Sequence, residues 1–230
     1  MKTIFIFCSS LLFVFNCVAQ EVPQPKKPSK FSISAGAGFG FRTAKVSPNL
    51  QSQEYEDEKS MLTGISFFIA PRYQLNDTYS IGINYRQFSA SKNNSDYSIV
   101  DANIYANQKR NIYYIGPSLH YHYIQEHAEL NGFMSMGYIG FVGDVDIFLE
   151  GKHFRTTTLT GANLGVEIGF EYLWRIAPNL YAGAPLGYTM GALSKITEKT
   201  GSDAKTIKLE DDEREGLQFL NINPVIRWYL

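Results

Sequence analysis

The sequence predicts an all-β fold: an eight-stranded antiparallel up-and-down transmembrane β-barrel with short turns at one end and four long loops at the other. Three observations predict it. A period-two alternation, in which large apolar side chains oppose Gly, Ser or Asn, recurs about eight times along the 230 residues. The connections between these copies alternate between short and long. A set of aromatic residues falls on the apolar parity, always at the short-connection end.

The chain opens "MKTIFIFCSSLLFVFNCVAQ", with Lys2, an apolar run from about Ile4 to Phe15 and small residues before Gln20. This is the pattern of a secretory signal, residues 1–19, cleaved after Ala19 with Cys17 and Ala19 in the two small-residue subsites. The run is shorter than the ~20 residues a spanning helix needs. Both cysteines, Cys8 and Cys17, fall inside the signal, so the exported chain depends on its own hydrogen bonds and packing rather than on disulfides. Residues 20–30, "QEVPQPKKPSK", read as an extended Pro- and Lys-rich periplasmic linker, and 31–230 as one barrel domain.

The first strand, "FSISAGAGFGF" at 31–41, puts a large or apolar residue at every odd position and only Ser or Gly at every even one. The second sets Ile65, Phe67, Ile69 and Tyr73 against Gly64, Ser66, Ala70 and Arg72. The third sets Tyr79, Ile81, Ile83 and Tyr85 against Ser80, Gly82, Asn84 and Arg86. In the fourth, Tyr113, Ile115, Leu119, Tyr121 and Tyr123 oppose Tyr114, Gly116, Ser118, His120 and His122. The fifth, near "NGFMSMGYIGFV", is apolar on both parities and leaves its faces unassigned. The sixth opposes Ala162, Leu164, Val166, Ile168, Phe170 and Tyr172 to Gly161, Asn163, Gly165, Glu167, Gly169 and Glu171. The seventh, "LYAGAPLGYTM", and the last, "LQFLNINPVIRWYL", alternate in the same way, with Arg227 and Asn221 on the polar parity. The connections "QLND", "IQEHAE" and "IAPN" are short; about 42–60, 90–109, 143–157 and 192–216 read as long polar loops.

A bare second face does not suit water. Charged residues make up 19% of the chain, below the roughly 25% of an average soluble protein. A soluble lipocalin-like barrel, its apolar face turned inward, would expose mostly Gly, Ser and Asn. In hydrocarbon, by contrast, every main-chain N–H and C=O must find a partner, so the sheet closes and turns its apolar face outward. The inside of such a narrow barrel is filled by side chains, and Gly and Ser leave room for Tyr, Arg and His from other strands. With the N-terminus periplasmic, the short turns are periplasmic and the long loops extracellular. Phe31, Tyr73, Tyr79, Tyr121, Tyr123, Tyr172, Trp174 and Trp228 then form a periplasmic aromatic girdle at the lipid–water boundary.

With its "VAQ" signal end, first strand "FSISAGAGFGF" and closing strand "NINPVIRWYL", the chain resembles the small outer-membrane β-barrels of the OmpA/OmpX-like class in the form common in Bacteroidota, with PorT-like secretion proteins similar in layout. That resemblance implies a bacterial outer-membrane location and insertion by the barrel-assembly machinery. It defines an architecture rather than an activity. The final Leu230, where many such proteins carry an aromatic, departs from the family's C-terminal signal.

The informative polar residues lie on inward parity: Arg72, Arg86, His120, His122, Glu167, Glu171 and Arg227, from strands two, three, four, six and eight. Buried charges require partners, so the expectation is a lumen network that plugs the barrel, with a narrow ion path as the alternative. Ser118 and His120 share a face that Glu167 or Glu171 could approach, an arrangement to test for nucleophilic catalysis, although the pair points away from lipid. No third ligand accompanies His120 and His122, so no metal or other cofactor is expected. The acidic runs at 54–59 and 210–215 read as solvated loop charge, with cation bridging to lipopolysaccharide phosphate as a weaker possibility. Their spacing is not that of an EF-hand. Finally, "GDVDIFLEGKHFRTTTL" alternates up to a turn signal at Glu150-Gly151-Lys152, which predicts that strands five and six protrude as a hairpin. A net charge of −1 argues against nucleic acid as a partner. The function expected is a non-enzymatic outer-membrane barrel serving membrane integrity or surface interaction, with lipid, lipopolysaccharide and an extracellular partner on the 143–157 hairpin. The alternatives are a narrow channel, a lipid-A-modifying enzyme or a secretion accessory.

Overall fold

The computed structural model describes residues 29–44, 52–97, 103–125, 127–209 and 215–230. The signal at 1–19, nearly all of the 20–30 linker and residues 210–214 of the second acidic run lie outside the described residues. The elements in order are β1 (Phe31–Arg42), α1 (Ser52–Ser60), β2 (Thr63–Gln74), β3 (Tyr79–Asp96), β4 (Ile104–Ile124), β5 (Ala128–Leu149), β6 (Lys152–Ala177), β7 (Leu180–Leu193), β8 (Lys195–Thr200), β9 (Asp203–Lys208), β10 (Glu215–Gly216), β11 (Phe219–Ile222) and β12 (Val225–Tyr229). No helix among the described residues is long and apolar enough to cross a membrane.

Neighbouring strands from β1 to β7 pair antiparallel in chain order, and the ring closes in eight staves. The eighth stave is β11 and β12 together. Pro224, which has no N–H to give a ladder, falls in the gap between them. The two halves keep one phase: β1 meets them at Phe39↔Ile222 and Ile33↔Trp228, and β7 meets them at Tyr188↔Leu220 and Leu180↔Trp228. Closure leaves no sheet edge within the wall, as a sheet in hydrocarbon requires.

Burial alternates with parity along every stave. Phe39, Ile65, Ile83, Met136, Leu164 and Ile226 are exposed on the outside, whereas Ser34, Phe68, Asn84, Tyr114, Glu167 and Arg227 are buried inside. The structure also assigns β5: Leu130, Met134, Met136 and Tyr138 face outward, and Glu129, Asn131, Phe133, Ser135 and Ile139 face inward. From Leu164 to Trp174 the outer face of β6 is apolar at every second residue. At about 3.3 Å per residue and a tilt of about 40°, that band is roughly 25 Å tall, the height a bilayer core demands. The bare even face of β1 is explained by packing. A Cβ on Gly36 would fall 2.6 Å from the Phe68 ring, and one on Gly40 would fall 2.5 Å from Phe88.

Three of the segments expected to be long loops are largely structured. β3 and β4 stay paired, through a bulge between Lys92 and Ser95, to Asp96↔Tyr105, so most of 90–109 is strand. β5 and β6 continue to Leu149↔Lys152 and close with Glu150 and Gly151 at φ 51° and 74°, a turn with both central residues left-handed. Segment 192–216 holds β8 and β9, a hairpin with Gly201 at φ 60°, annealed onto β6 through Thr157↔Thr200 to Thr160↔Thr197. Within 42–60, α1 forms a cap at the long-loop end. The sequence alternation in β8 and β9 is regular but polar, which is why it reads as a loop.

Candidate functional site

The lumen contains three layers. Nearest the short-turn end is an ionic layer in which Arg72 donates to Glu171 through both terminal nitrogens, at 2.8 and 2.6 Å. Arg227 donates one terminal nitrogen to Glu171, the other to Glu129, and its Nε to Ser34 Oγ at 2.8 Å. Glu129 also accepts from the Tyr229 hydroxyl at 2.9 Å and from His122 Nδ1 at 2.7 Å. His122 Nε2 in turn meets the Ser80 hydroxyl at 2.6 Å. Slightly higher, Arg86 donates Nε to Glu167 and Nη1 to Asn221 at 2.9 Å, with Asn84 donating to Glu167 at 3.0 Å. Its guanidinium lies over the rings of Phe68 and Phe133, 4.6 and 5.3 Å from their centroids.

Arg72, Arg86 and Arg227 balance Glu129, Glu167 and Glu171, and each of these side chains is at most 2% exposed. The layer ties β2, β3, β4, β5, β6 and β12 together across the interior. All seven inward residues expected from parity are in it or, for His120, against it. The eight aromatics expected to form a girdle, Phe31, Tyr73, Tyr79, Tyr121, Tyr123, Tyr172, Trp174 and Trp228, are all exposed on the outer wall near the short turns. What sequence reasoning missed is Glu129, the second anchor of Arg227. It lay in the stretch read as a turn, beside the strand whose parity was ambiguous.

The middle layer is apolar: Phe88, Ile112, Ile139, Phe141, Leu193, Leu217 and Phe219 pack with Met61 and Tyr114, all buried. Phe88 and Phe219 stand 5.8 Å apart between centroids. The top layer is ionic again. Glu58 of α1 accepts two bonds from Arg110, at 2.7 and 2.5 Å, and lies 3.6 Å from Arg42, which donates to Glu215 at 2.7 Å. Asp57 accepts from Tyr97 at 2.8 Å and Gln53 at 3.1 Å. Burial pushes the Glu58 carboxyl up, but Arg110 and then Arg42 outweigh it and hold it below the ordinary carboxylate range. Burial and the bond to Asp57 together raise the Tyr97 phenol. The first acidic run is therefore partly a latch, not only solvated loop charge.

Ser118 and His120 are 2.9 Å apart, Oγ to Nε2. Neither Glu167 nor Glu171 reaches the ring; Asn131 does, its Nδ2 lying 3.4 Å from His120 Nδ1. The same amide nitrogen donates to Glu171 at 2.8 Å, which fixes the amide orientation. The His120 ring is thus held between a hydroxyl and an amide, with no carboxylate bonded to it among the described residues. A groove of about 1020 Å³ on the outer wall, lined by Ile83, Pro117, Leu119, Met134 and Met136, reaches Ser118 from the lipid side. The pair beneath it lacks the carboxylate that orients the histidine of a Ser-His-acid triad. Among the described residues no group of three or more His, Cys, Asp or Glu is arranged to hold a metal ion.

No family model matches the chain, and no curated protein matches it. Solved structures do. A major outer membrane protein from Thermus thermophilus aligns with 86% of this chain and 97% of its own at 13% identity and a TM-score of 0.51. Neisserial surface protein A aligns over 89% and 100% at 16% identity and a TM-score of 0.44. Ail, the attachment invasion locus protein of Yersinia pestis, solved with the heparin analogue sucrose octasulfate, aligns over 86% and 97% at 14% identity and a TM-score of 0.45. At these identities the likeness is one of fold, and the chain has the eight-stranded fold of outer-membrane β-barrels.

Proposed function

We propose that this chain is a non-enzymatic barrel of the bacterial outer membrane, with its N-terminus periplasmic, that acts by surface interaction through the sheet protruding from its long-loop end. The observation that carries this reading is the filled lumen: two ionic layers enclose an apolar plug, so exposed chemistry is left to the outer wall and the protruding strands. The roughly 25 Å apolar band and the girdle support the membrane location, with lipid and lipopolysaccharide as its surroundings and the barrel-assembly machinery as its route in. The pairing of His120 with Asn131 instead of a carboxylate supports the non-enzymatic part. Kinship with Bacteroidota barrels, PorT-like ones included, belongs to the same proposal and is supported by the strand "NINPVIRWYL".

Two measurements test it. In planar bilayers the protein should give no steady conductance. A steady conductance that disappears in Glu171→Gln would replace this reading with the narrow channel. Deleting 145–155 should leave the barrel folded and abolish adherence of expressing cells to protein-coated surfaces. Undiminished adherence by the deletion variant would remove the β5–β6 tip from the function and confine it to the β8–β9 hairpin, which the deletion spares.

A further inference from the structure

The annealing of β8–β9 onto β6 moves the free edge of the protruding sheet to β9. β9 ends the strand order, nothing among the described residues pairs with its outer side, and all six of its residues are exposed. On the opposite flank the upper part of β3 has α1 packed against it. Among the described residues, one flank is covered and the other is bare.

The phase of the ladder decides what β9 offers. Leu209 N donates to Ser194 O at 2.9 Å, so Ser194 and Leu209 form a hydrogen-bonded pair. Bonded and non-bonded pairs alternate along an antiparallel ladder. Ile196↔Ile207, Glu198↔Lys205 and Thr200↔Asp203 therefore turn their main-chain groups into the hairpin. Ala204, Thr206 and Lys208 turn theirs outward, three N–H and C=O pairs in a row, about 6.8 Å from one to the next.

Charge selects the occupant. Lys195, Lys199, Lys205 and Lys208 outnumber Glu198 and Asp203, and Lys195 lies directly opposite Lys208. A second copy of β9 paired to the first would crowd lysines together, and lysine on an edge discourages such pairing. An incoming strand with carboxylates opposite Lys205 and Lys208 would satisfy both the edge and the charge.

We propose that the outer edge of β9 takes up an extended, acidic polypeptide segment of an extracellular partner as an additional strand, through the main-chain groups of Ala204, Thr206 and Lys208. The proposal rests on the surface-docking reading above and names its partner chemistry. The test uses the full barrel in lipid nanodiscs and an octapeptide of valine and threonine with two glutamates three residues apart, the spacing that sets one opposite Lys205 and the other opposite Lys208 on the two faces of the sheet. The peptide should bind and slow amide exchange at Ala204, Thr206 and Lys208, while Lys205 and Ile207, already bonded, stay as they were. Thr206→Pro removes one outward donor and none of the inward ones, and should weaken binding about tenfold. The same peptide N-methylated at alternate residues should not bind, whether or not the proline variant keeps its hairpin. Equal binding of the N-methylated peptide would overturn the proposal, as would binding unaltered by Thr206→Pro but lost in Lys205→Glu, the mark of a patch for any anionic polymer. If deletion of 145–155 abolishes cell adherence while Thr206→Pro cells adhere normally, the docking reading stands and this inference falls.

Discussion

The two ionic layers of the lumen use the same residue types, Arg against Glu, in different surroundings. In the lower layer Glu171 is shared by Arg72, Arg227 and Asn131, and every charged group is closed off from solvent. In the upper layer the side chains of Glu58 and Glu215 keep 26% and 29% of their exposure, and water meets one side of the latch. Burial converts an ion pair from an option into an obligation. Where solvent is absent, losing one partner strands the other; where water stands by, it takes the partner's place. The lower layer is therefore fixed structure, and the upper layer is the one that can loosen.

Removing one partner from the lower layer should give the largest effect. Glu171→Leu leaves the Arg72 and Arg227 guanidinium groups without their shared acceptor and should destabilise the barrel by about 3–5 kcal/mol, or block its folding in lipid. Denaturant unfolding in detergent micelles would measure it. A loss below about 1 kcal/mol would mean that water enters the lower lumen and that the two layers do not differ in kind. Next comes the plug that separates them. Phe88→Ala removes a buried ring from between Phe219 and the Gly40 and Gly64 backbones and should cost about 3 kcal/mol. If the same variant begins to conduct in planar bilayers, the plug rather than the lower layer is what closes the lumen.

The contrast between the layers also tracks what could be read from the sequence. Strands, closure and the lower layer follow from one rule, parity, because a side chain on a strand has only two directions to point. Arg72, His122 and Glu171 are on the inward parity of strands whose faces are unmistakable. Glu129 escaped because β5 is apolar on both sides, Met134 and Met136 outside and Phe133 and Ile139 inside, so alternation carried no information there. The upper layer was unreadable for a different reason. Asp57 and Glu58 lie in "SQEYEDEKS", which has no apolar stripe to mark a helix, and their partners are Tyr97, just past the end of β3, and Arg110, in the part of β4 that runs on beyond the apolar band. A contact made by the ends of three connections is a tertiary fact with no local period. β8 and β9 sit between these cases: "KITEKTGSDAKTIK" does alternate around its Gly201-Ser202 turn, but a polar alternation reads as a loop until β6 supplies the strand beside it.

The smallest effect separates the layers most cleanly, because it depends on protons alone. Glu58 titrates below the ordinary carboxylate range in the folded protein, held there by Arg110 and Arg42 against the opposing influence of burial. A carboxyl lowered on folding stabilises the fold above its unfolded value near 4.3, and that contribution is lost as the pH falls through the folded value. Acid should therefore free α1 from Arg110 before it does anything to the wall. Amide exchange of Glu56 to Met61 should accelerate as the pH is taken below about 4, after correction for intrinsic rates, while β1–β7 amides stay protected. Glu58→Gln should remove that step and cost roughly 1 kcal/mol or less at neutral pH, since water already reaches the latch. An acid-induced loosening of α1 that persists undiminished in Glu58→Gln would assign it to another carboxyl, with Asp57 beneath Tyr97 the nearest.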